Sequence, residues 1–329
     1  MINSRKIFVE AGRVPTVSSI PVLAKNAATA LRGRQLNENN KTASGASAEA
    51  IEHHYGTGND YFGLWLDRSM TYSCALWDDH DPDQTLDSAQ LAKIDHHIEQ
   101  SRARDADSVL DIGCGWGGVL DRLHSCHATR STVGLTLSES QAGWINQHYS
   151  HPGMQVRLES WEDHQAAAES YDSIISIGAF EHFARLGLSS DQKIGIYRDF
   201  FTRCHEWLKP GRWLSLQTVA YGNSLQKDFD RFISKEIFPE TDTPRLWEIF
   251  AGSDRLFEVV RLRNDRDDYR RTLRAWFSRL KSGRDAAVAM KGEEEIRKFE
   301  QYLRLMAYMF EVGGLDLHRI TFRKIDSPR

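Results

Sequence analysis

Between residues 86 and 220 the apolar positions alternate between two rhythms. Short unbroken apolar runs ending in glycine or a polar residue read as buried strands, and apolar residues spaced three to four apart read as helices. "TLDSAQLAKIDHHIEQS" has the helical spacing, with Leu86, Leu91 and Ile94 on one side. "SVLDIG", "STVGLTLS", "MQVRLES", "YDSIISIG" and "RWLSLQTVAYG" read as strands. "GGVLDRLHSCH", "ESQAGWINQHYS" and "DQKIGIYRDFFTRCHEWLKPG" read as intervening helices, the last stopped by Pro210 and Gly211. This alternation predicts an α/β fold, a mainly parallel sheet wrapped by helices.

After residue 223 the rhythm changes. "DFDRFISKEIFPETDTP" and "RLWEIFAGSDRL" read as helical, "FEVVRLRND" as a sixth strand and "LHRITFRKI" as a seventh. Two longer helical stretches lie between those strands, and in the second Ile296, Phe299, Leu303, Met306 and Phe310 share one face. Helices inserted late in such a domain suit a substrate lid at about 223–258, with further helices at about 267–312; plain packing is the alternative.

Length and composition narrow the setting. The 329 residues suffice for one large α/β domain or two modest ones, and a net charge of -4 argues against a protein that coats nucleic acid. Cys74, Cys114, Cys126 and Cys204 form no CxxC pair and no zinc spacing, so no metal site is expected and a reduced, cytoplasmic setting is the simplest reading. No apolar run approaches the roughly 20 residues of a membrane helix. Residues 1–50 stand apart as a basic tail: up to residue 45, seven lysines and arginines face two glutamates, and "NENNKTASGASA" closes the segment as a linker. A flexible tail is expected there, with at most peripheral contact to an acidic surface.

Candidate chemistry begins at "DIGCGWGG", residues 111–118, where the first strand turns into a helix. Ligands of open α/β sheets bind beyond the carboxyl ends of the strands. Gly113 and Gly115 let the backbone approach a ligand closely. The loop is not G-x-G-x-x-G and carries Asp111 two residues before its first glycine, which suits the amino-acid end of S-adenosylmethionine (SAM). Trp161 and Glu162 after the third strand offer an aromatic face and an acceptor for an exocyclic amine. The second strand lacks the usual ribose-binding acid, leaving Thr136 and Gln141, with Glu139 a weaker candidate.

"YFGLWLDRSMTYSCALW", "LDIGCGWGG", "GLTLSESQ" and "SIGAFEHF", in this order, resemble the cyclopropane fatty acid synthases, especially the mycolic acid cyclopropane synthases. The resemblance spans roughly residues 51–325. It implies a class I SAM-dependent methyltransferase, Rossmann-like with a seven-stranded sheet and a helical lid, acting on alkenes of long acyl chains with bound bicarbonate as base. Carried over by position, Tyr55, Tyr72, Ser73, Gly113, Gly115, Thr136, Gln141, Trp161 and Glu162 hold SAM, and Trp116 packs beside it or seals the site. Bicarbonate falls to Cys74, Glu181 and Tyr269.

An alkene is a poor nucleophile, so alignment with the methyl sulfonium is the first task. The resulting carbocation calls for exclusion of water and for aromatic faces. A base then removes a proton to close the ring. Phe180, Phe238, Tyr269 and Trp276, with Leu273 beside them, are candidates for the acceptor pocket; core packing is the alternative. His182, next to Glu181, is expected to point away by strand alternation. The chain departs from the resemblance at Gln217, where the synthases carry a histidine that contacts bicarbonate, and at Val219, where isoleucine is usual. Glutamine hydrogen-bonds but does not titrate, which leaves ring closure more open than methyl transfer. The expected acceptor is an unsaturated acyl chain, on a phospholipid or a carrier. An alkene of a polyketide or terpenoid, an amine, and SAM binding without catalysis are the other readings.

Overall fold

The computed structural model describes residues 45–127, 129–225, 237 and 240–327, and of His53 the backbone alone. Seven strands form one sheet: β1 (Ser108–Ile112), β2 (Ser131–Thr136), β3 (Met154–Leu158), β4 (Tyr171–Ile177), β5 (Leu208–Tyr221), β6 (Phe257–Asn264) and β7 (Leu315–Lys324). Their spatial order is β3-β2-β1-β4-β5-β7-β6. The first five are parallel, β7 runs antiparallel to β5, and β6 antiparallel to β7. β1 and β4 are buried along nearly their whole length, as expected of strands covered on both faces. The order reverses direction at β1, so the crevice beyond β1 and β4 is the natural ligand site.

Helices cover both faces: α1 (Ala48–Tyr55), α2 (Asn59–Gly63), α3 (Leu86–Gln100), α4 (Gly118–Cys126), α5 (Glu139–His148), α6 (Ser190–Trp207), α7 (Leu246–Ser253), α8 (Arg266–Ser282), α9 (Arg284–Lys291) and α10 (Glu293–Glu311). Several starts are written locally. The Thr85 and Ser189 side chains close capping boxes on α3 and α6, and Ser138 caps α5. One core lies between the sheet and α6, around Phe200, Phe201 and Trp207. A second joins α2 to α8 and α10 around Trp65, Trp276 and Phe299, and the five expected face residues of α10 are all buried.

Three expectations change. Leu91 is 40 % exposed, because the buried face of α3 is Leu86, Gln90, Lys93, Ile94 and His97. α6 ends at Trp207, three residues short of Pro210, but β5 already starts at Leu208, and its register against β4 shifts between the pairs Tyr171–Leu208 and Ser173–Trp213. Packed structure is already present before residue 51: Ala46 donates its N–H to the His182 carbonyl at 2.9 Å, and α1 opens at Ala48. Part of the expected lid, residues 226–236, 238 and 239 with Phe238 among them, lies outside the described residues. Its described helix, α7, packs on α6 with Ile249 in the sheet core.

Candidate active site

A cavity of about 320 Å³ opens beyond the ends of β1 and β2. The glycine loop forms its floor. Gly115 has φ +53°, and a Cβ there would meet no atom within 4 Å, so the loop leaves room where a side chain would stand. Gly113, at φ +81°, is required for a different reason: a Cβ would lie 2.3 Å from that of Ala179. Trp116 is buried, donates its indole N–H to Asn59 at 2.8 Å and packs against Tyr55 and Phe62. It therefore ties the loop to α1 and α2. The Thr136 hydroxyl donates to Gln141 at 2.8 Å. Trp161 and Glu162 stand on the wall after β3, and Tyr55, Tyr72 and Ser73 on the N-terminal side. All ten residues assigned to SAM by sequence thus surround one space.

Its electrostatics are set by burial. Asp111 has one carboxyl oxygen without a partner, and burial pushes its carboxyl up to about 7, with the Lys93 charge working the other way. Burial pulls Lys93 down to about 7 against the pull of Asp67. The Lys93 ammonium donates to the Ser73 hydroxyl at 2.7 Å, and the Gln90 amide to the carbonyls of Thr71 and Ser73. α3 thereby fixes the segment that carries Tyr72 and Ser73.

A second cavity, of about 170 Å³, shares Tyr55, Tyr72, Ser73, Gly178 and His182 with the first. Glu181, Gln217 and Tyr269 give it a polar end; Leu186, Met306, Leu315 and Leu317 give it apolar walls. The backbone N–H of Val219 donates to Glu181 Oε1 at 2.6 Å, while Oε2 has no hydrogen-bond partner. Burial pushes the Glu181 carboxyl up to about 7, opposed by that backbone bond. Residues 180–182 form a single 3-10 turn, so strand alternation does not apply and His182 faces both cavities. Its ring lies 2.8 Å from the Thr241 hydroxyl and 3.5 Å from that of Tyr55, and burial holds it neutral, down to about 4.

Four expected site residues stand elsewhere. Cys74 does not line the second cavity; its thiol donates to the Ala75 carbonyl at 3.1 Å and burial pushes it up to about 12. Phe180 stacks on Tyr197 in the sheet core. Leu273 and Trp276 sit behind Tyr72 and Tyr269 in the α8–α10 core. An aromatic side chain buried against other aromatics gains more than one facing an open cavity.

Residues 42–320 match the family described as mycolic acid cyclopropane synthetase. The cyclopropane mycolic acid synthase MmaA2 of Mycobacterium tuberculosis is 33 % identical over 294 residues, covering 84 % of this chain and 97 % of that one. The chain belongs to the mycolic acid cyclopropane synthetase family. The MmaA2 structure superposes with a TM-score of 0.75 at 31 % identity, over 87 % of this chain and 100 % of that one. That of the synthase CmaA1, complexed with SAH and CTAB, gives 0.76 at 30 %, over 85 % and 99 %. The chain is a SAM-dependent methyltransferase of the class I fold. Among the described residues no helix is long and apolar enough to cross a membrane.

Lys93, His97 and Arg319 escaped the sequence reading, which named His182 but turned it away from the site. The signal for the first two was present: polar residues on the face of α3 that carries Leu86 and Ile94.

Proposed function

We propose that this enzyme methylates an alkene carbon of an unsaturated acyl chain and closes a cyclopropane ring, with a bicarbonate-sized oxyanion held by Glu181, Gln217 and Tyr269. The observation that carries this reading is the pair of adjoining cavities, one lined by the glycine loop, Asp111, Trp161 and Glu162, the other bringing Glu181, Gln217 and Tyr269 together with Leu186, Met306, Leu315 and Leu317. SAM fits the first: the open space at Gly115 admits the ligand, and the unpartnered oxygen of Asp111 awaits a donor such as its ammonium. When bound, SAM supplies an activated methyl. Tyr55, Tyr72, Ser73 and His182 flank both cavities, so they orient the alkene toward that methyl and exclude water. The unpartnered oxygen of Glu181 suits the oxyanion, which would serve as base when bound. The apolar walls suit the acyl chain, in keeping with the amphiphile CTAB in the CmaA1 structure.

Gln217 favours a second reading, methyl transfer that ends in a methyl-branched alkene. SAM with a trideuterated methyl separates the two. Incubation with unsaturated phospholipids, acyl carriers, prenyl diphosphates and amines should give a lipid product that has lost one deuterium. Retention of all three on carbon would leave a methyl branch, and label on nitrogen would overturn both readings.

A further inference from the structure

Gln217 does more than replace a titratable ring with a neutral amide, because its neighbours dictate which way the amide faces. A glutamine side chain offers oxygen on one side and NH2 on the other, and the surrounding donors decide between them. Arg319 Nε–H, which only donates, lies 2.9 Å from Gln217 Oε1. That guanidinium is itself immobilised. It is 1 % exposed, pairs with Asp265, lies 3.6 Å from Asp268, and donates to the carbonyls of Ala75 at 2.8 Å and Cys74 at 3.3 Å. From the other side His97 Nε2 approaches the same oxygen at 3.3 Å, while its Nδ1 lies 2.8 Å from the Ser215 hydroxyl. Burial keeps His97 neutral, well below the usual histidine range. A neutral ring with Nε2–H donating to Gln217 and Nδ1 accepting from Ser215 satisfies every group. The carboxamide oxygen is thus fully occupied on the protein side, and the NH2 is what Gln217 has left for the cavity it lines.

We propose that Arg319 and His97 are positioning residues that lock Gln217 as a permanent hydrogen-bond donor to the second cavity, making that end selective for a planar oxyanion. The proposal rests on the reading that an oxyanion binds there. Glu181 and Gln217 then divide the work: the acid presents its free carboxyl oxygen, the amide a donor with no dependence on pH. A cationic or purely apolar group placed against that NH2 would leave it unpaired in a dry cavity, which is costly.

The side-chain amide signals of Gln217 in 15N-labelled protein report the lock directly, and Gln217→Glu assigns them by their loss. Titration with bicarbonate at constant ionic strength, with chloride as control, should shift both signals saturably. Gln217→Glu keeps an acceptor for Arg319 and His97 but turns the cavity-facing donor into an oxygen. It should fold, keep SAM affinity within about threefold and weaken bicarbonate by about 100-fold or more, as expected for a lost hydrogen bond plus a buried repulsion. Arg319→Lys, which keeps the charge and loses the Nε donor, should broaden or move the amide signals and weaken bicarbonate by about tenfold, with SAM binding intact. Unchanged bicarbonate affinity in Gln217→Glu would overturn the proposal, and so would unchanged amide signals in Arg319→Lys. Should Arg319→Lys fail to fold, Gln217→Glu alone decides. Amide signals insensitive to any oxyanion would overturn the donor role while labelled methyl transfer from SAM continued, which separates this failure from failure of the methyltransferase reading.

Discussion

Glu181 is held between two demands. Its Oε1 is tied to the backbone of Val219, its Oε2 has no hydrogen-bond partner, and its burial favours the protonated form up to about 7. The other titratable groups around it do not compete near neutrality: the Tyr55 and Tyr269 phenols are pushed up by burial and His182 is held down at about 4. Below pH 7 the carboxyl is a donor; as pH rises through about 7 it becomes an anion facing the oxyanion site. Formate keeps its charge over this range, so its affinity should fall as pH passes from 6 to 8 in the parent and stay flat in Glu181→Gln. The same shift has a stability consequence. The folded-state pKa lies above the ordinary 4.5, so the contribution is fully present below 4.5 and is lost as pH rises through about 7. Glu181→Gln should remove that loss, leaving the parallel contribution of Asp111. In the enzyme, Glu181→Gln should lower turnover far more than SAM affinity; equal losses in both would place Glu181 on the cofactor side instead.

Among the elements, the strands were the most legible. The apolar runs of β1, β2 and β4 are buried along nearly their whole length, so the central pattern is readable without an outside partner, whereas the edge strands β3 and β6 are largely open. Helix faces were less so. Leu91 looked like a core residue because spacing alone does not say which of two adjacent stripes turns inward, and in α3 the inner stripe holds Gln90, Lys93 and His97 in service of the site. The stop of α6 just before Pro210 was legible, but the start of β5 at Leu208 was not, because its pairing comes from β4, nearly 40 residues earlier. Gly113 and Gly115, singled out in the sequence, both have positive φ, yet their reasons differ and can be tested apart. Gly113→Ala should destabilise the fold by about 2 kcal/mol or more, through the clash with Ala179 and the positive φ. Gly115→Ala meets open space, so its stability cost should stay near 1 kcal/mol while its methyl intrudes on SAM. Chemical denaturation and SAM titration of the two variants should show opposite profiles; matching profiles would mean that the loop acts as one structural unit.

For the whole molecule, the first cavity is assembled from stretches far apart in sequence: the start of α1, the loop after β1, the end of β2, the turn after β3 and the turn after β4. A ligand that touches all of them adds a tie that the chain alone lacks, and binding confined to the folded state raises stability by mass action, about 2.7 kcal/mol at a concentration 100 times the dissociation constant. α1 is the piece with most to gain. Among the groups that hold it are the long Tyr55–His182 contact, edge packing of Tyr55 on Trp116 and the stacking of His54 on Tyr72, and all of these partners border or back the cavity. SAM should therefore slow amide exchange across residues 45–55 as strongly as across 111–118, and leave the exposed edge strand β6 unchanged. Slowing confined to 111–118 would mean that α1 does not close over the cofactor, and that Tyr55 serves the acceptor cavity alone.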